Sequence, residues 1–140
     1  MPITKEELVK LLNEDIAKEW AAAVQYVQHA AMLTGPEFQS IQKELLVHAN
    51  EELGHSVQLS DLITQLGGVV TTDVYERFTS DDSKKMLEQD LEGELDAAAR
   101  YKTRIAQARD LNEFGVAKVL EEILVVEEEH ARDLMAALGK

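Results

Sequence analysis

The chain has 140 residues, 45% of them hydrophobic, with only two prolines and seven glycines, so one domain over residues 1–140 with a sizeable core and long uninterrupted elements is expected. It has no cysteine, which excludes disulfides, thiolate metal sites and iron–sulfur centres. A formal charge of −13 argues against nucleic acid as a partner, because phosphate binding needs a basic face.

Thr4-Lys5-Glu6-Glu7 reads as a capping box. Behind it Leu8, Leu12, Ile16, Ala23, Val27 and Ala30 recur at helical spacing, and the stripe ends near Leu33, before Thr34-Gly35-Pro36. Pro36 suits a first helical position, and Phe38, Ile41, Leu45, Leu59, Leu62 and Leu66 make a second stripe closed by Gly67-Gly68. Residues 67–80 have no helical period. A third helix follows the capping run Thr79-Ser80-Asp81-Asp82 and carries Leu87, Leu91, Ala98 and Ile105. After a break at Asp110-Leu111-Asn112, the fourth runs through Val116, Leu120, Ile123, Leu134 and Leu138 to Gly139.

The first and third connections are short, so helices one and two, and three and four, are antiparallel neighbours. The middle connection can span roughly 46 Å when extended, against about 45 Å for a 30-residue helix. It can therefore travel the length of the bundle and start helix three parallel to helix two. The expected fold is all-α: an antiparallel four-helix bundle with one long crossover. No apolar run nears the roughly 18 residues of a membrane helix. Met1–Glu7 carries no basic region followed by an apolar stretch, so a cytoplasmic protein with no membrane partner is expected.

An internal repeat carries the chemistry. Asp15, Glu19 and Tyr26 recur as Asp90, Glu94 and Tyr101, and Glu52 and His55 recur as Glu127 and His130, all at an offset of 75 residues. Ile16 with Leu91, Ile41 with Val116, Leu45 with Leu120 and Leu59 with Leu134 keep the same offset. A hydrophobic period alone recovers the aliphatic matches, but not the ionisable ones. The chain thus reads as two copies of one helical hairpin about a pseudo-twofold axis, with one Glu near the middle of each helix. Glu52 and His55, and Glu127 and His130, share a helix face, and each Tyr stands two turns beyond the Glu of its own helix.

Four buried carboxylates without compensation are costly. Two divalent cations cancel their charge, and two imidazoles suit first-row metals better than calcium or magnesium. Glu19, Glu52, His55, Glu94, Glu127 and His130 make up the donor set of di-iron and di-manganese carboxylate bundles. The expected cofactors are two iron ions per chain, with manganese accepted by the same donors. Tyr26 and Tyr101 read either as hydrogen-bond or electron donors to the ligand carboxylates, or as plain core aromatics. Asp15 and Asp90, one turn before Glu19 and Glu94, read as acceptors for the outer N–H of a ligand His, or as solvated helix face. His48 has no repeat partner and reads as exposed. His29 lies off the ligand face, and Trp20 points away from it, towards an interface with another subunit.

With these residues in place the sequence resembles the bacterioferritin branch of the ferritin-like family. The resemblance runs from about Leu8 to Leu138 and includes Glu19-x6-Tyr26-x2-His29, Glu52-x2-His55, Leu91-x2-Glu94-Leu95-Asp96 and Glu127-x2-His130. It implies a ferritin-like fold in which Glu52 and Glu127 bridge the metals, while Glu19 with His55 and Glu94 with His130 are the terminal pairs. It also implies a ferroxidase that oxidises Fe(II) to Fe(III) with O2 or H2O2 for iron storage or detoxification. The branch binds haem through a Met after the first bridging Glu; here that position is Leu53, and no haem is expected by this route. The sequence ends after the fourth helix, without the family's fifth, so the homo-oligomer implied is a dimer or a smaller cage. The rubrerythrin branch fits less well, since Ala97-Ala98 stand where it has a further carboxylate. Two other readings accept the same donors: a di-manganese catalase or di-iron peroxidase or oxidase, and a non-catalytic metal-stabilised assembly protein.

Overall fold

The computed structural model describes residues 2–140. Its four helices are α1 (Lys5–Met32), α2 (Gln39–Gln65), α3 (Ser83–Asp110) and α4 (Phe114–Ala137), with no strand among the described residues. Thr4 caps α1, its hydroxyl oxygen accepting from the Glu7 amide at 3.1 Å; the Glu7 carboxylate takes the Thr4 hydroxyl proton rather than its backbone N–H. Pro36 opens a short 3-10 turn, Pro36–Phe38, one turn ahead of α2. Gly67, with φ of 83°, ends α2 in the left-handed conformation that glycine adopts without strain. Asp82 caps α3 by accepting from the Lys85 amide.

The segment between α2 and α3 is a true crossover, and its hydrogen bonds trace its path along α1. Asn13 holds the Val69 carbonyl and the Thr71 amide, Ala17 O accepts from Tyr75 N, Gln25 accepts from the Phe78 amide, and Thr34 N meets Ser83 Oγ. From Asn13 to Thr34 the strap climbs about 30 Å of helix. It therefore delivers the chain to the far end, and α3 runs parallel to α2 and antiparallel to α1.

The core is two apolar masses. Leu8, Leu12, Ile16, Leu59, Ile63, Ile105, Leu120 and Ile123 fill one end, while Leu33, Ile41, Leu45, Met86, Leu87, Leu91 and Leu134 fill the other. Between them lies a belt of buried polar side chains at mid-height, where the repeated Glu and His residues stand. On the outside, Trp20, Val24 and Val27 of α1 and Leu46, Leu53 and Val57 of α2 are exposed at spacings that keep them on one face of each helix. None of the described helices is long and apolar enough to cross a membrane.

Candidate metal centre

Glu19, Glu52, Glu94 and Glu127 come one from each helix and are almost wholly buried, and His55 and His130 join them at the same level. One turn of α2 carries Glu52 and His55, and one turn of α4 carries Glu127 and His130, so each helix presents a carboxylate and an imidazole together. The six side chains form two overlapping groups: Glu19, Glu52, His55 and Glu127 in one, and Glu52, Glu94, Glu127 and His130 in the other. Within each group the candidate ligand atoms all lie within 4.8 Å of one another. Glu52 and Glu127 belong to both.

Each imidazole turns Nδ1 inward. His55 Nδ1 is 3.1 Å from Glu127, 3.5 Å from Glu52 and 3.7 Å from Glu19. His130 Nδ1 is 3.2 Å from Glu52 and 3.3 Å from Glu94. Of these contacts only that between His130 Nδ1 and Glu94 Oε1 has hydrogen-bond geometry. Glu19 Oε2, Glu52 Oε1, Glu94 Oε2, both oxygens of Glu127 and Nδ1 of His55 are buried without a hydrogen-bond partner. Buried polar atoms are normally satisfied, and each orphan is costly. Lone pairs converging from four carboxylates and an imidazole are what a pair of dications satisfies, so the residues present fit that group.

Electrostatics carries the same signature. Burial and the neighbouring carboxylates push Glu52 and Glu127 well above the usual carboxylate range. Burial pushes Glu19 up, but the neighbouring His55 imidazole, the Glu52 carboxyl and the Tyr101 hydroxyl outweigh it and hold Glu19 below its ordinary value. Burial alone lowers a histidine, but the carboxylates around His55 and His130 overcome it and raise both to about 9. Protons thus stand in where positive charge is needed.

Each tyrosine serves the other half of the repeat. Tyr101 Oη donates to Glu19 Oε1 and Tyr26 Oη to Glu94 Oε1, both at 2.5 Å. Neither sits on the Glu of its own helix. Helix side chains lean towards the N-terminus, so a Tyr two turns beyond the carboxylate level reaches back down and across to the antiparallel neighbour. Burial and the adjacent carboxylates raise both phenols well above their ordinary value, so they are neutral donors.

Asp15 and Asp90 correct the expectation placed on them. They are buried rather than solvated, and neither touches His55 or His130. Asp15 accepts from Arg100 Nη1 at 2.6 Å and from Arg104 Nε at 2.8 Å. Asp90 accepts from Gln25 Nε2 at 2.9 Å and faces His29 Nδ1 at 2.9 Å. The offset of 75 relates Gln25 to Arg100 and His29 to Arg104, so the two clusters are the same device with different side chains. Because each Asp lies on the α1–α3 side, its partners come from the facing helix and not from the α2 and α4 histidines. His29 Nε2 also donates to the Phe78 carbonyl, which lashes the crossover to α1.

The carboxylate that does meet an outer imidazole nitrogen is Glu51, at 3.2 Å from His130 Nε2. Sequence reading missed it, because its repeat equivalent is Val126 and a surface Glu before a ligand carries no signal of its own. His48 is a second correction. It is fully buried, stacked on His130 with ring centroids 3.9 Å apart and edge-on to Tyr26. Trp20 is part-exposed on the outer face of α1.

A cavity of about 460 Å³ lies between α1, α3 and the crossover, and it reaches Glu19, Glu52, Glu94 and Glu127. Lys18, Gln25, Tyr75, Phe78, Gly93 and Arg100 line its outer part. A small molecule can therefore approach the carboxylates from this side.

The family model of the ferritin-like domain matches residues 9–140 of the chain. A ferritin-like, diiron-carboxylate protein of Bacillus anthracis superposes with a TM-score of 0.92 at 31% identity, over 99% of each chain. The structure described as a dodecameric thioferritin, the bacterioferritin-related protein of Bacteroides fragilis, gives 0.89 at 28% identity, over 98% of this chain and 87% of that one. The bacterioferritin of Mycobacterium leprae is 29% identical over 128 residues, which cover 89% of this chain and 79% of that protein.

Proposed function

The chain belongs to the ferritin-like family, and from that premise we propose that it is a ferroxidase, with Fe(II) as substrate and O2 or H2O2 as oxidant. The observation that carries the reading is the convergence of five unpartnered carboxylate oxygens and an unpartnered imidazole nitrogen at the middle of the bundle. Two ferrous ions bound there supply one electron each, enough to reduce O2 to H2O2 or H2O2 to water with two protons taken up. Glu52 and Glu127, shared by both groups of donors, hold the pair together, and Glu19 with His55 and Glu94 with His130 hold one ion each.

The surrounding chain orients these donors. Tyr101 and Tyr26 each fix one oxygen of Glu19 and Glu94, leaving the other oxygen free to bind. Glu51 accepts from the outer nitrogen of His130, which keeps Nδ1 inward with its lone pair available. The two apolar masses above and below exclude bulk water, and the cavity beside α3 admits the oxidant. That cavity also gives a second reading its support: a di-iron or di-manganese oxidase, peroxidase or catalase acting on a small molecule brought to the same carboxylates.

No haem is proposed, since Leu53 stands where the bacterioferritin branch places its haem-binding Met. The exposed apolar stripe of Trp20, Val24, Val27, Leu46, Leu53 and Val57 supports a homo-oligomer built on the α1–α2 face, and the B. fragilis relative is described as dodecameric. The deciding experiment is anaerobic titration of the apo-protein with Fe(II), then exposure to air, followed by ultraviolet absorbance. Saturation at two ions per chain, with rapid oxidation lost in Glu127→Ala, supports the reading. Oxidation no faster than in buffer ends it.

A further inference from the structure

We propose that Glu44, His48 and Asp133 form a third, mononuclear site for a first-row divalent cation, on the α2–α4 face one helical turn from the paired donors. These three residues offer one ligand atom each, all within 4.8 Å of one another, from two consecutive turns of α2 and from α4. His48 Nε2 already lies 3.1 Å from Asp133 Oδ2. One neutral imidazole and two carboxylates carry −2, which a dication cancels. The mixed nitrogen and oxygen set selects iron, manganese, cobalt or zinc over calcium or magnesium.

The repeat shows that the cluster belongs to one half alone and is not part of the shared pattern. At the equivalent positions the other half has Val119, Ile123 and Gln58, a set with no carboxylate and no imidazole. Ile123 is an ordinary buried core residue. Putting an imidazole in the place of such a residue costs desolvation, and His48 also leaves Nδ1 buried without a partner. Packing alone is served by the aliphatic side chain, so a polar group kept there needs another use. A metal ligand is that use.

The same geometry sets the strength of the site. Binding through Nε2 leaves the imidazole proton on Nδ1, where no acceptor waits, and Asp133 and Glu44 are partly open to water. The ion is thus held loosely, with water completing its shell. His48 stacks face to face on His130, so the site stands immediately outside the paired centre and can dock an incoming ion or receive an outgoing one. This transit role rests on the ferroxidase reading; the binding itself does not.

The test is anaerobic equilibrium dialysis of the apo-protein against Co(II), which binds the same donors without being oxidised. Wild type is expected to take up three ions per chain, the third more weakly. Glu44→Gln/Asp133→Asn, which alters only partly exposed groups, is expected to take up two with unchanged affinity and helicity. His48→Ile, which copies the other half, is expected to behave likewise. A wild type that saturates at two ions, a double variant that still binds three, or one that loses all three would overturn the site. A chain that binds three ions but does not oxidise Fe(II) loses the ferroxidase reading and keeps this one.

Discussion

Tyr101 donates to Glu19 from the opposite half of the repeat, at 2.5 Å, and Tyr26 repeats the contact with Glu94. Each carboxylate is thereby oriented by the hairpin that does not carry it. Tyr101→Phe and Tyr26→Phe should each cost about 1–3 kcal/mol, the penalty of a buried acceptor left without its donor. Urea denaturation of the apo-protein measures this. Fe(II) oxidation should slow in both variants, while a change at an exposed aromatic away from the cavity, such as Phe114→Leu, should leave the rate unaltered.

Stability of the metal-free chain should fall as the solution becomes alkaline. His55 and His130 keep their protons to about 9 in the fold, against an ordinary value of 6.5. Their contribution is complete below pH 6.5 and is lost as pH rises through 9. Glu52 and Glu127, also raised, act in the same direction from lower pH. Thermal melts should show the apo midpoint dropping between pH 6.5 and 9.5. Mn(II) should give its largest increase at the alkaline end, because bound metal needs deprotonated donors. A flat apo profile would sink the idea that protons hold the empty centre together.

Glu127→Gln separates stability from function. It removes one of four mutually repelling carboxylates, so the apo-protein should melt higher than wild type at pH 8. Stoichiometric uptake of two ions should disappear in the same variant. Such opposition between site and scaffold is the usual mark of a functional cluster.

The two aspartate clusters should respond unequally. Asp15→Asn leaves Arg104 without its buried counter-charge and Arg100 with Asp96 alone, a loss of about 3–5 kcal/mol. Asp90→Asn leaves behind an amide and an imidazole rather than a pair of guanidinium groups, so about 1–3 kcal/mol is expected. Denaturant midpoints of the two variants, compared side by side, check the order.

Gly93 tests the approach to the centre. It lines the cavity, and a Cβ built there meets nothing within 4 Å, so a side chain can enter the open space. Gly93→Ala should stabilise α3 by up to about 1 kcal/mol. Gly93→Leu should fold equally well but slow oxidation by O2, as read in stopped-flow absorbance, without changing the number of ions bound anaerobically.

Much of this was legible from spacing. Four helices, their caps at Thr4 and Asp82 and the long crossover follow from period, capping residues and reach. The offset of 75 brought all six candidate donors together before any geometry was known. What the sequence concealed depends on direction across helices. A list of residues places Tyr101 above Glu94, but only the antiparallel neighbour shows that its hydroxyl reaches Glu19. Asp15 and Asp90 looked like helpers of the histidines because they share a stripe with Glu19 and Glu94, yet they face arginines or His29 on the α1–α3 side. His48 and Glu51 were hidden for the opposite reason: neither has a counterpart in the other copy, and a method that listens for repetition is deaf to them.

The strap between α2 and α3 has a consequence for inheritance. Two separate hairpins associating as identical subunits obey strict symmetry, so every mutation is written into both sides at once. Joining them in one polypeptide lifts that obligation, and each copy becomes free to drift alone. One aspartate could then keep Gln and His for company while the other keeps two arginines, and a histidine could stand on one flank with only isoleucine opposite. The crossover is thus what permits a lopsided molecule to be made from an even-handed plan.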